Sequence, residues 1–251
     1  MTTWFTADLH LGHRNIIDYC NRPFDAVDAM NNALIENWNE AVAPNDTVWV
    51  VGDFALGKIA DTLPIVSTLH GRKILVAGNH DRCWAGHGRR ADGWTERYID
   101  AGFHDIVQGS TCVDVGKTRV VVCHFPYRGD SQRRDRYIEH RPIDKGDWLL
   151  HGHVHDRWVQ TGRMINVGVD ATGFRPIDTD AIARIIRAGP ASSSATSAAD
   201  QPPMSGWPVS PRRFGRPVIR LAVPDRDLVG VVDKLETALE RVSTCPTSTV
   251  R

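Results

Sequence analysis

Five short polar motifs stand in a fixed order along this 251-residue chain, and each follows an apolar, β-rich run. They are Asp8-Leu9-His10, Gly52-Asp53, Gly78-Asn79-His80-Asp81, His124, and Gly152-His153-Val154-His155. Chemistry placed repeatedly at strand ends constrains the fold. The strands must be rigid and laid side by side, and the loops after them must converge.

The runs between the motifs support this reading. Trp4 to Leu9 reads as a short strand, and Asp25 as the cap of a helix carrying Val27, Met30, Leu34 and Trp38 at helical spacing. Thr47 to Val51 is a β-branched strand, Ile59 to Leu69 a second helix, and Lys73 to Ala77 the next strand. Three rounds of strand, polar loop, then helix or turn favour a layered α/β fold with a buried sheet. The pattern then changes. Ile106 to Val115 and Thr118 to Cys123 flank Gly116-Lys117 as a β-hairpin, Trp148 to Leu150 leads into the last motif, and short strands flank Thr161-Gly162-Arg163. Asp178 or Thr179 caps a helix ending near Gly189. The expected architecture is α/β, with two facing mixed sheets flanked by helices, over residues 1–188. Residues 189–217 turn to Ser, Ala, Pro and Gly and read as a linker. Residues 218–251 hold a short apolar run and an amphipathic helix, with Leu228, Val231, Val232, Leu235, Leu239 and Val242 on one stripe. That stripe suits homo-oligomerisation, binding of a partner, or docking back on the main domain.

Composition narrows the class. Thirty basic and thirty acidic residues cancel, and no basic stripe interleaved with aromatics points to extended nucleic acid. Arginines number 25 against five lysines, which suits oxyanion recognition but equally a GC-rich codon bias. Five cysteines without a Cys-x-x-Cys pair argue against a disulfide framework and a structural zinc site. No segment approaches the ~20 apolar residues of a membrane span, so the expectation is a cytoplasmic protein with no membrane partner.

The motifs supply seven candidate metal ligands: Asp8, His10, Asp53, Asn79, His124, His153 and His155. That is about one more than a single ion takes from protein, so the set suggests two metals. A carboxylate such as Asp53 has two oxygens with which to bridge two cations. Asn79 offers a neutral oxygen and adds no charge that would repel phosphate. Mixed oxygen and nitrogen donors without thiolate fit Mn²⁺, Fe or Zn²⁺ better than Ca²⁺. Two ions ~3.5–4 Å apart are the arrangement that hydrolyses phosphate esters.

In order and spacing the series Asp-x-His, Gly-Asp, Gly-Asn-His-Asp, His, Gly-His-x-His resembles the calcineurin-like metallophosphoesterase family over Thr2 to about Ile177. The resemblance implies a four-layer α/β/β/α sandwich. It implies that Asp8, His10, Asp53 and His155 hold one divalent metal and Asp53, Asn79, His124 and His153 the other. A hydroxide bridging them would attack phosphorus in line, and His80 would protonate the leaving oxygen or neutralise phosphate. Asp81 could orient His80 or cap the following turn. The Asp-Arg-Gly of the protein Ser/Thr phosphatase branch is missing after Gly52, as is a Gly-Asn-His-Glu, so a phosphoprotein substrate is disfavoured. The chain looks more like the small bacterial and bacteriophage phosphoesterases, and the segment Asp8 to Ile17 is typical of that branch. Its His13, Arg14 and Asn15 are candidates for substrate contact. The expected activity is hydrolysis of nucleotide-like phosphodiesters, cyclic nucleotides among them. Its rivals are phosphomonoester or nucleotide pyrophosphate hydrolysis, and a metal-binding scaffold with the same fold. His151 is expected to pack or to orient a neighbour, and Asn166 to Asp170 to support the site. Arg128, Arg133, Arg134 and Arg136 form either a phosphate lid or a solvated cluster.

Overall fold

A computed structural model describes residues 1–192. β1 (Thr3–Thr6), β2 (Thr47–Val50), β3 (Arg72–Val76) and β4 (Asp105–Val107) run parallel, with β10 (Ile177–Asp178) antiparallel to β1 at one edge. The second sheet has the order β5 (Ser110–Val115), β6 (Thr118–Cys123), β7 (Trp148–His151), β9 (Met164–Asn166), β8 (Gln160–Thr161). Its strands β6, β7 and β9 are parallel, and β5 and β8 are antiparallel to their neighbours. The architecture is therefore the mixed α/β class with two five-stranded sheets and flanking helices that the motif order implied.

Period-two alternation divides the core. Val48 and Val50 of β2 join Leu75 in a cluster with Met30, Leu34 and Trp38 of α2 (Val27–Ala41) and Tyr98 of α4 (Trp94–Ala101). Val51 and Val76 point the other way, with Phe5, Val120, Val122, Leu150 and Ile165. That second cluster glues sheet to sheet, and α5 (Thr179–Ala188) inserts Ile182 and Ile185 into it. Each such side chain, fully buried, contributes about 1.5–3 kcal/mol. Because β1, β2 and β3 are parallel, their carboxyl ends share one rim. Those of β6 and β7 share the rim of the other sheet. Beyond the strand ends the sheets are stitched together, with Val169 N–H donating to the Ala7 carbonyl at 3.0 Å.

Four local expectations are corrected. Ile106 to Val115 is not one strand: β4 belongs to the first sheet and β5 to the second, and the chain changes sheet at Gly109, whose φ is +73°. Continuous alternation could not reveal that change of partner. The segment from Ile59 is α-helical only to Thr62 as α3, then tightens to a 3₁₀ helix over Leu63–Thr68, where Pro64 has no N–H to donate. Asp25 caps nothing. Ala26 is the N-cap of α2 without a side-chain bond, and Asp28 supplies the negative charge in the first turn. The first strand ends at Thr6, leaving Ala7 to Leu9 in the loop. Asp178 caps α5 by accepting the Ala181 N–H at 2.6 Å, as one of the two expected caps. The linker beyond residue 192 and the 218–251 helix lie outside the described residues.

Candidate metal centre

The ligand loops begin with an unusual backbone. Asp8, His10, Asp53, His153 and His155 have φ of +55°, +52°, +56°, +71° and +51°. A left-handed non-glycine residue costs about 1–3 kcal/mol and persists only where the surroundings enforce it. Here they do. Asp8 N–H donates to the Gly52 carbonyl and His10 N–H to the Asp53 carbonyl, each at 3.0 Å, while Gly152 N–H donates to the His124 carbonyl at 3.1 Å. Gly52, at φ +88°, combines a left-handed turn with close approach, since a Cβ there would meet the His124 ring.

These turns bring Asp8, His10, Asp53 and His155 together with His124 and its neighbour Asn79, and set the His153 ring 5.3 Å from that of His124. His10 Nε2 lies 3.2 Å from His155 Nε2 and 3.7 Å from Asp53 Oδ2. His124 Nε2 lies 3.1 Å from Asn79 Oδ1 and 3.5 Å from the same Asp53 Oδ2. Asp53 thus stands between two half-sets of donors. Asp8 Oδ2 and Asp53 Oδ2 are buried without a hydrogen-bond partner. Two bare carboxylate oxygens among imidazole nitrogens carry a desolvation cost that a divalent cation removes. Ligand atoms of Asp8, His10 and His155, and separately of Asp8, Asp53 and His124, each lie within 4.8 Å of one another. The donor set fits divalent metal.

Tautomers are arranged to match. His124 Nδ1 donates to the Val51 carbonyl at 2.9 Å, leaving Nε2 with its lone pair toward the centre. His153 Nε2 faces Asp130 Oδ2 at 3.2 Å, which frees Nδ1. Burial, before any neighbouring charge, holds His10, His124, His153 and His155 below the ordinary imidazole range, the last two near 3, so the rings are neutral ligands at pH 7. Burial pushes the Asp8 carboxyl well up, and the Asp53 charge adds to that push.

The structure decides the role of Asp81. Its Oδ2 accepts Asp53 N–H at 2.8 Å and Gly78 N–H at 2.9 Å, and its Oδ1 accepts Phe54 N–H at 3.1 Å. It ties the Asp53 loop to the Asn79 loop and makes no contact with the His80 ring. Burial and the Asp53 charge raise its pKa to about 7 against those three N–H groups. His80 is exposed, with its ring centroid 5.3 Å from that of His10 and its backbone N–H on Asp53 Oδ1 at 2.8 Å.

Three supports escaped the motif reading or were only glimpsed in it. Buried Arg22 forms a bidentate pair with Asp170 at 2.8 Å and also donates to the Asp8 and Leu9 carbonyls at 2.8 and 3.0 Å. Asp130, clamped by Arg136 at 2.7 Å, orients His153. Neither has a motif of its own. Asn166 holds the His155 and Trp158 carbonyls through Nδ2 and the Gly168 N–H through Oδ1, so Asn166 to Asp170 does support the loops. His151 is fully buried, its Nδ1 on the Gly152 carbonyl at 2.7 Å, outside the ligand cluster.

A cleft of 1290 Å³ opens from the centre, lined by His10, His13, Tyr19, His80, Arg133 and Trp158 among others. His13 is therefore brought to the site. Arg14 and Asn15 are not: they are exposed in the first turn of α1 (Arg14–Tyr19), and Arg14 pairs with Asp18 at 3.6 Å. Of the four arginines between Arg128 and Arg136, Arg133 and Arg136 line the cleft, while Arg128 and Arg134 do not, and Arg157 joins the lining from the last motif's loop.

Comparison with known proteins identifies the family. Residues 1–176 match the model of the calcineurin-like phosphoesterase superfamily domain. The chain is 34% identical over 187 residues to the gene 66 protein of Mycobacterium phage L5, covering 68% of this chain and 87% of that protein. It is 27% identical over 195 residues to the uncharacterized protein MJ1445 of Methanocaldococcus jannaschii, covering 74% and 92%. The crystal structure of the protein of unknown function AQ665 from Aquifex aeolicus matches 73% of this chain and 98% of that one, with a TM-score of 0.56 and 25% identity. With the family model matching residues 1–176, well over half its length, and a relative 34% identical across 68% of it, this chain belongs to the calcineurin-like phosphoesterase superfamily.

Proposed function

We propose that the protein is a dinuclear metal-dependent phosphodiesterase acting on nucleotide-like esters. The observation that carries this reading is the position of Asp53, its unpartnered Oδ2 between His10 and His124, with a half-set of donors on either side. Asp8, His10, Asp53 and His155 would hold one ion, and Asp53, Asn79, His124 and His153 the other, with Mn²⁺ the best match to the donors. Divalent ions, when bound, supply Lewis acidity toward phosphoryl oxygen and acidify water at neutral pH.

The chain's own residues do the rest. Asn79 contributes an uncharged oxygen, which leaves the approach of an anionic diester unopposed. The Arg22–Asp170 pair and Asp81 hold the strained loops so that no reorganisation is needed when substrate arrives. His80 is the exposed imidazole at the mouth of the centre, placed to give a proton to the departing alkoxide. The large cleft, at 1290 Å³, exceeds the ~300–1,000 Å³ of a typical small-molecule site and has room for a nucleoside arm.

Turnover of bis(p-nitrophenyl) phosphate by the full chain tests this. Hydrolysis is expected with Mn²⁺, lost on chelation and restored by adding the ion back. Folded protein inert with Mn²⁺, Fe, Co²⁺, Ni²⁺ and Zn²⁺ alike would overturn it. His80→Ala should keep the metals and lose more rate on alkyl esters than on nitrophenyl esters, whose leaving group needs little protonation. Equal losses would remove His80 as the acid.

A further inference from the structure

A second cleft, of 280 Å³, adjoins the large one at His80 and Leu56, which line both. The two differ in charge. The large cleft mixes Asp130, Asp135 and Asp156 with its arginines, and Arg136 is already consumed by Asp130. The small one is lined by Asn79, His80, Arg82, His87, Arg90 and Trp94 and contains no carboxylate. Neither Arg82 nor Arg90 forms an ion pair among the described residues. Arg82 is nonetheless held in place. Its guanidinium carbon sits 5.1 Å from the Trp94 ring centroid, and its backbone N–H donates to the buried Tyr98 hydroxyl at 3.1 Å.

From this juxtaposition we infer that the Arg82–Arg90 cleft is a subsite for a second phosphate group carried by the substrate. The inference rests on the phosphodiesterase reading for its geometry. A phosphodiester at the metal centre has two substituents, and because His80 lines both clefts each substituent has a cleft to enter. The nucleoside arm suits the large mixed cleft. An arm ending in phosphate suits the small one, where two unpaired guanidinium forks await oxygen acceptors and no acid repels them. Asn79 belongs both to the proposed ligand set and to this cleft wall, so the subsite adjoins the reacting phosphate directly. The substrate class is thereby narrowed to nucleotide esters whose second arm, the one opposite the nucleoside, carries a further phosphate.

Adenosine 5′-monophosphate and the non-hydrolysable adenosine 5′-(α,β-methylene)diphosphate, whose α-phosphorus carries the nucleoside on one side and a second phosphate on the other, distinguish the sites. Each is titrated calorimetrically into the Mn²⁺-supplemented full chain, and each is used to inhibit bis(p-nitrophenyl) phosphate hydrolysis. The diphosphate analogue is expected to bind about tenfold more tightly, the value of one charge-assisted contact. Arg82→Gln with Arg90→Gln should bring the ratio of affinities close to one. Arg89→Gln, on the same turn but outside the cleft lining, should preserve it. Equal binding of the two nucleotides, or a ratio that survives the double substitution, would overturn the subsite. Absence of ester turnover alone would instead strike the phosphodiesterase reading, because the calorimetric ratio is measured without it.

Discussion

At the scale of single residues, the centre depends on side chains that no motif announces. Asp130 is the clearest case. It accepts from His153 Nε2 and is itself fixed by Arg136, so it sets both the tautomer and the angle of a proposed ligand. Asp130→Ala should weaken metal binding about 10–100-fold in a Mn²⁺ titration. Undiminished affinity in the folded variant would show that His153 is oriented without it. A second prediction follows from protonation. Burial holds His10, His124, His151, His153 and His155 below the imidazole value, the last three near 3. As pH falls through about 6.5 the unfolded chain takes up protons on these rings that the folded chain refuses, so their stabilisation is full above that pH and is lost below it. Asp8 and Asp81 act oppositely. Their carboxyls are raised, Asp81 to about 7, so the folded chain keeps protons that the unfolded chain releases, and their contribution falls as pH rises from about 4 to 7. Five rings outnumber two carboxyls. The chelator-treated protein should therefore melt at a lower temperature at pH 5 than at pH 7, as followed by circular dichroism, and an equal or higher Tm at pH 5 would show the carboxyls in control.

Elements were legible where their residues spoke for themselves. The α2 stripe of Met30, Leu34 and Trp38 was readable because helical spacing is local, and the Gly116-Lys117 hairpin because a turn is local too. The break at Gly109 was not readable, because pairing partners are chosen by distant strands. The caps make the same point. Asp25 and Asp178 look alike in sequence, yet only Asp178 reaches a helical N–H. Asp178→Ala should cost about 1 kcal/mol in a denaturant melt. Asp25→Ala, at an exposed position without a capping bond, should stay within about 0.5 kcal/mol of the parent. Equal effects from the two would mean that the Asp178 bond carries no net stability.

At the scale of the whole molecule, the proposed ligands come from both sheets: Asp8, His10, Asp53 and Asn79 from the first, His124, His153 and His155 from the second. A metal bound across them joins the two halves in the folded state only. Mn²⁺ at a hundred times its dissociation constant should add about 2.7 kcal/mol. For a chain of this size that corresponds to a rise in Tm of roughly 5–10 °C. Asp53→Asn should abolish the rise, and a Tm indifferent to Mn²⁺ in the parent protein would sink the centre as a metal site. The sequence by itself determined the candidate ligands, the α/β class and the family, because ligand chemistry resides in side-chain identity and strand ends are marked by local alternation. Only the tertiary structure decided that Asp81 ties loops rather than orienting His80, that Arg14 and Asn15 turn away, and that Arg22 and Asp130 brace the loops. It alone placed an acid-free cleft beside His80. Those outcomes depend on which distant groups share a low-dielectric space, and the linear order of residues does not carry that information.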